Sequence, residues 1–331
     1  MDGLRTGNTF AASGQLIDRL AFVACVEHGK DKDEKGGKDE KGSHSGSSAE
    51  SLAVEAALGN TDVDRGGCAT MGEKLEVKAG SDITVAIVVR DPSGTNYSPY
   101  SFNNPSLAQV GIQQPLNMPV LDHVDVIRGM VTGYKTPGAP DYSGQWPNDW
   151  IVPYMNGLAP SLATVPAAAK NTTAAVIKTF NDSTWATLNR DPEFKVMTFR
   201  IPAVRASQYI RLRGTNLPPN VPFETDADGN PLPDLFTNSA AVSQTKAGAN
   251  DGFPANNFLR IACTVTGTNV PANGVTFTEA DGKINGCPNH LPVVNGQKMV
   301  AFDVAAWSDL WFYSNPIFIE VKGSTKVAGV E

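Results

Sequence analysis

The stretch Asp82-Ile83-Thr84-Val85-Ala86-Ile87-Val88-Val89-Arg90 decides the fold class. Ile83, Val85, Ile87 and Val89 fall on one face of an extended chain, with Thr84 and Arg90 on the other. A period of two is what a strand with one face in a core requires, because successive side chains leave a pleated strand on opposite sides. The same period recurs downstream. In Val120 to Arg128, Val124 and Val126 oppose His123 and Asp125. In Phe194 to Val204, Phe194, Val196, Thr198 and Arg200 face away from Met197, Phe199 and Ile201. In Gln208 to Arg213, Ile210 and Leu212 point one way and Tyr209, Arg211 and Arg213 the other. Ile317, Ile319 and Val321 alternate with Phe318 and Glu320, and Leu16 to Val26 adds an apolar-rich strand near the start. Such strands with turn residues between them predict a mainly β protein, an antiparallel β-sandwich with long irregular loops.

Between the strands the composition changes. The 331 residues include 23 prolines and 31 glycines, which favours many turns over long helices. Thr136 to Asn171 and Asn216 to Asn257 are irregular, the first with Trp146 and Trp150 as candidate anchors. Gly29 to His44 holds no apolar residue and cannot add to a core. The span 29–50 therefore reads as a disordered-type surface insertion, tolerable because the entropy of closing a loop grows slowly with its length. Asp2 to Arg5 reads as a helix end closed by Gly7, and Asn8 to Ala12 as a short extended piece stopped by Ser13-Gly14. Residues 1–15 thus look like the remnant of an upstream domain, and 16–331 like the sandwich domain. On that reading Leu4, Phe10 and Leu16 lack their original partner and must either fold back on the sandwich or dock on another copy of the chain; docking is the expectation.

The net charge of −7 and pI near 5.2 argue against a nucleic-acid partner, which calls for a basic face. No apolar run approaches the roughly 18 residues of a membrane span. Met1 leads into polar residues, not into the apolar stretch of a signal peptide. Yet Cys25, Cys68, Cys263 and Cys287 make an even set, which suits disulfides and an oxidising compartment. Three connectivities are open, as are four buried thiols; pairing of nearest neighbours, Cys25 with Cys68 and Cys263 with Cys287, is the expectation. It places the chain outside the cytoplasm, extracellular or periplasmic, with its signal removed or lying upstream.

The chemistry-bearing residues are sparse. The histidines are His28, His44, His123 and His290, with no H-x-H, H-E-x-x-H or C-x-x-C spacing for a zinc or binuclear site. No G-x-S-x-G elbow, G-x-G-x-x-G or phosphate loop occurs. His123 in a strand reads first as a hydrogen-bonded structural residue. Asp226, Asp228, Asn230 and Asp234 place oxygen donors at alternate positions, as at the start of a calcium loop. Against that, the glycine stands two places early, Pro231 occupies the turn position and the closing glutamate is missing, so a plain Asp-Gly turn competes. Arg211 and Arg213, about 7 Å apart on one strand face, form a candidate anion clamp unless Asp122 or Asp125 pairs with them. Trp307, Trp311, Phe312 and Tyr313 are either a sugar or aromatic platform or part of a core or interface.

A set of motifs also resembles one family. Asp2-Gly3-Leu4-Arg5-Thr6-Gly7-Asn8-Thr9-Phe10-Ala11-Ala12-Ser13-Gly14 is similar to the segment that closes the catalytic domain of PHP-type (polymerase-and-histidinol-phosphatase) metallohydrolases, in particular the carbaryl-hydrolase-like branch. Met71 to Gly80, Leu121 to Arg128, Tyr209 to Arg213 and Tyr313 to Ile319 resemble, in order, motifs of the sandwich that follows it. The resemblance implies that the metal-binding barrel lies upstream of these motifs, so no family metal ligand maps onto this chain. It implies a non-catalytic accessory or interaction module that covers the barrel or mediates assembly, with self-association or the missing catalytic domain as its partner. The competing expectation is a stand-alone extracellular structural or binding protein that self-assembles through a strand edge. Neither reading assigns a catalytic residue, and calcium is the one cofactor candidate.

Overall fold

A computed structural model describes residues 2–27, 48–59, 62–108, 110–131, 171–221, 224–231 and 306–322, together with four short strands between 262 and 299. The first part of the chain forms α1 (Asp2–Thr6), β1 (Phe10–Ala12), β2 (Arg19–Val26), α2 (Ala49–Gly59), β3 (Cys68–Thr70), β4 (Lys74–Lys78) and β5 (Ser81–Arg90). Then come α3 (Pro105–Ala108), β6 (His123–Met130), β7 (Ala175–Asn181), β8 (Ala186–Leu188), β9 (Asp191–Val204) and β10 (Gln208–Thr215). The last elements are β11 (Ala262–Thr264), β12 (Thr276–Thr278), β13 (Lys283–Asn285), β14 (Lys298–Met299), β15 (Trp311–Ser314) and β16 (Ile317–Lys322).

Two main sheets carry the fold. One has the order β3-β2-β5-β9-β8, antiparallel throughout. In the other, β10 lies between β6 on one edge and β15 and β16 on the opposite edge. The strands β15 and β16 are one line of chain broken at Asn315-Pro316, and the register against β10 slips by one residue across the break. Proline has no N–H for the ladder, so a break there is natural. Ser314 bridges it with its side chain, Oγ accepting the Leu212 N–H at 2.8 Å. Beyond this line β1 pairs with β15, and β4 with β16, the latter in parallel; β7 closes the far side beside β6. The strands β11 to β14 form a separate small sheet of order β12-β13-β11-β14.

The inner faces make the core. Ile83, Val85, Ile87 and Val89 of β5 meet Val124, Val126, Ile210, Leu212, Ile317 and Ile319 of the opposite sheet. The alternation read from the sequence is therefore the real one, and the fold is a mainly β sandwich. The outer face of the β5 sheet is apolar as well. Ala21, Val23, Ala86, Val88, Phe194 and Val196 pack under α2, which offers Ala49, Ala53 and Ala57. Alanines at every fourth position let the helix axis approach the sheet closely. Arg19 fixes the helix end by donating from Nη1 to the Ala57 and Leu58 carbonyls at 3.1 Å each. Of the insertion expected at 29–50, residues 29–47 lie outside the described residues, and 49–50 open this helix, a feature that strand periodicity does not announce.

The N-terminal segment corrects one expectation. Phe10 packs against the sandwich core and Leu16 is fully buried in it. The chain folds these residues back on itself through the pairing of Phe10–Ala12 with β15, and only Leu4, 78% exposed, keeps an uncovered apolar side chain. Gly7, at φ 80°, closes α1 as its sequence position suggests, and its amide returns to the Gly3 carbonyl at 2.9 Å.

Cys25 and Cys68 stand directly opposite each other on β2 and β3 and are joined as a disulfide. Cys263 with Cys287 lies outside the described residues. The sequence separation of 43 between Cys25 and Cys68 corresponds to about 4 kcal/mol on the chain-entropy model. Replacing both cysteines by alanine is expected to lower the unfolding free energy by roughly 2–4 kcal/mol, read from urea denaturation under non-reducing conditions. An unchanged midpoint would show that the bridge constrains neither state.

Candidate functional site

The outer face of the β10 sheet gathers most of the polar residues singled out above. Along β10 it carries Tyr209, Arg211, Arg213 and Thr215; register places His123, Asp125, Ile127 and Gly129 of β6 beside them. On the other side stand Trp311 and Tyr313 of β15 and Phe318 of β16.

At one end of this face a charged network is buried. Asp125, 1% exposed, accepts from Arg213 Nε at 3.2 Å and Nη2 at 2.5 Å, and from Thr179 Oγ1 of β7 at 2.6 Å. Arg213 Nη2 also donates to Asn230 Oδ1 at 2.9 Å, and its guanidinium lies 5.6 Å from the Trp311 ring centroid. The His123 Nδ1 is 2.7 Å from Asp122 Oδ1, and its Nε2 is 3.8 Å from Asp125 Oδ2. Gly229 covers the ring edge: a Cβ at that position would stand 3.2 Å from His123 Cε1 and Nε2. Catalytic use of His123 would require one ring nitrogen to face an open site. Here one is held by a carboxylate and the other is capped by the 226–230 turn.

That turn is the expected calcium segment. Asp226 Oδ1 accepts the backbone amides of Asp228 at 2.9 Å and Asn230 at 2.8 Å, and Asn230 Nδ2 donates to Asp226 Oδ2 at 3.0 Å. These bonds, the Asn230 side chain first, hold the Asp226 carboxyl below the usual carboxylate range. The segment is built as a self-bonded turn with Arg213 on its Asn230 oxygen, and Asp228 is exposed. Among the described residues no group of three or more His, Cys, Asp or Glu is placed to hold a metal. Asp234, His28, His44 and His290 lie outside the described residues.

Arg211 differs from Arg213. It sits opposite the Asn315-Pro316 break, and its Nε is buried without a hydrogen-bond partner. The two arginines therefore do not form a shared clamp: one is neutralised by Asp125, the other is not. Trp311 and Tyr313 are neighbours on one face of β15. Their rings lie 6.3 Å apart between centroids with planes 20° from parallel, and Tyr313 is 38% exposed, whereas Phe312 is in the core.

A second polar knot ties loops together. Asn104 accepts the Ser106 amide at 2.9 Å, at the start of α3, and donates to the Ser308 carbonyl at 2.7 Å. Asn216 donates to the same carbonyl at 3.2 Å and accepts the Leu310 amide at 3.0 Å. Among the titratable groups Asp91 stands out. It is buried at the end of β5 and accepts the Leu121 amide at 3.3 Å, which joins the two ends of the 91–121 excursion. Burial, first, pushes its carboxyl up to about 6. Nothing in Arg90-Asp91-Pro92 signals this from sequence.

Comparison with protein-family models, with characterised proteins and with solved structures returns no match.

Two outcomes are expected. Asp125→Ala leaves the Arg213 guanidinium buried and uncompensated, which should cost roughly 3–5 kcal/mol in urea denaturation, and the double change Asp125→Leu with Arg213→Met should recover much of it. For Asp91, the folded state binds its proton more tightly than the unfolded state. Its contribution to folding is therefore fully present below the ordinary value of 3.8 and is lost as pH rises through about 6, a change of about 3 kcal/mol. Subtracting the stability of Asp91→Asn from that of the parent at each pH should give a curve falling between about pH 4 and 6 and flat above. A flat difference throughout would refute the assignment.

Proposed function

We propose that this chain is a non-catalytic β-sandwich module that acts by presenting a preformed surface to a partner. The observation that carries this is the state of its best catalytic candidates. His123 is paired with Asp122, Asp125 is bonded to Arg213 and Thr179, Arg213 reaches on to Asn230, which bonds Asp226, and Gly229 lies over the histidine. Groups matched in this way hold chain segments together; general acid–base catalysis needs a group left within reach of substrate. The neighbouring sheet face, by contrast, keeps Tyr313 and Phe318 exposed, with Arg211 beside them in no ion pair among the described residues.

The order of motifs that resembles PHP-type hydrolases supplies the setting for this reading: the module would accompany a metal-binding barrel and shape its approach or its assembly. The Cys25–Cys68 bridge supports an oxidising location outside the cytoplasm. No helix among the described residues is long and apolar enough to cross a membrane.

The purified chain is expected to hydrolyse neither a chromogenic phosphoester nor a carbamate, with or without added divalent metal. Turnover that chelator stops and metal restores, and that survives repurification, would overturn the non-catalytic reading.

A further inference from the structure

A buried N–H with no acceptor is rare in a folded protein, and for a charged group the uncompensated desolvation is larger than for a neutral one. The Nε of Arg211 is such a donor, on a side chain that is otherwise partly exposed. It lies mid-strand on β10, between Tyr209 and the neutralised Arg213, with Ile127 beside it on β6. No ion pair or hydrogen bond among the described residues engages it. Asp125, the acid one step further along β6, is already held by Arg213 and Thr179. On a chain of net charge −7, an unmatched cation in the middle of a sheet face is a specific feature and not part of a general basic field.

The surroundings narrow the ligand class. Tyr313 and Trp311 stand on alternate positions of β15, on the same face, with ring planes 20° from parallel and centroids 6.3 Å apart. Phe318, on the other side of the strand break, is 41% exposed on that face. Ring faces set along a strand suit flat, weakly apolar surfaces such as the C–H faces of sugar rings, and a guanidinium suits a carboxylate, which it can hold by two parallel bonds. We propose that this face binds an extended acidic saccharide, with a carboxylate on the Arg211 guanidinium and sugar rings against Tyr313 and Phe318. The proposal rests on the non-catalytic reading above and names the ligand that such a surface would take. The disulfide is in keeping with a compartment where such polymers occur.

The test uses the full chain and an oligogalacturonate, with its methyl ester as the neutral counterpart and inorganic phosphate as the simple anion. Titration calorimetry at low ionic strength should show saturable binding of the acid and at least tenfold weaker binding of the ester, with no competition from phosphate at equal charge. Arg211→Gln should bring the acid down to the level of the ester, and Tyr313→Ala should weaken both. Because Arg211 loses no bond on substitution, Arg211→Gln and Arg211→Met should unfold no earlier in urea than the parent. Destabilised variants would mean a structural role and overturn the proposal. So would absence of oligogalacturonate binding, binding indifferent to Arg211, or equal displacement by phosphate. None of these results touches the non-catalytic reading, which fails only on metal-dependent turnover.

Discussion

A guanidinium withdrawn from water must be matched at its donors, and the burial of Arg213 imposes that requirement on four separate parts of the chain. Its Nε and Nη2 reach Asp125 on β6, Nη2 also reaches Asn230 in the turn after β10, and the Trp311 ring of β15 lies against its plane. Thr179 of β7 completes the carboxylate. One charge thus fixes the neighbours of β10 on both edges and closes the 226–230 turn over His123. A hydrophobic substitute of the same volume can match such a pair in stability, so the value of the network lies in the arrangement it specifies.

The opposite face of the same strand obeys a simpler rule, and that face was the legible one. Ile210 and Leu212, like Ile83 to Val89 and Ile317 to Val321, alternate because one side of each strand meets the other sheet. The sandwich could be read from that period alone. Three things could not. The helix α2 is amphipathic only in the sense that alanines face the sheet, and alanine carries little hydrophobic signal. The short strand β1 looked like a stray end because its partner, β15, lies some three hundred positions away. Asp91 is an acid before a proline that no sequence pattern singles out, and only the fold buries it.

The candidate sites were half legible for a similar reason. Sequence placed Arg211 and Arg213 on one face and offered Asp125 as a partner, and strand geometry guarantees that much. It could not say that the acid would serve one arginine and leave the other bare. That depends on the register with β6, which sets Asp125 opposite Arg213 and Ile127 opposite Arg211. The turn at 226–230 shows the same limit. Alternating oxygen donors describe a cation loop and an Asx-type turn equally well, and the hydrogen bonds of Asp226 describe the turn.

The bridge between Cys25 and Cys68 closes a covalent ring around everything that lies between β2 and β3. The polar insertion and the alanine helix are both inside it. A protease that cuts the chain anywhere within that ring makes two new ends but not two molecules, because the sandwich strands on either side remain bonded through sulfur. Only a cut and a reductant together release a fragment. The ring therefore lets the chain carry a segment without apolar residues, Gly29 to His44, and lose its continuity there, without surrendering the pairing of β2 with its neighbours.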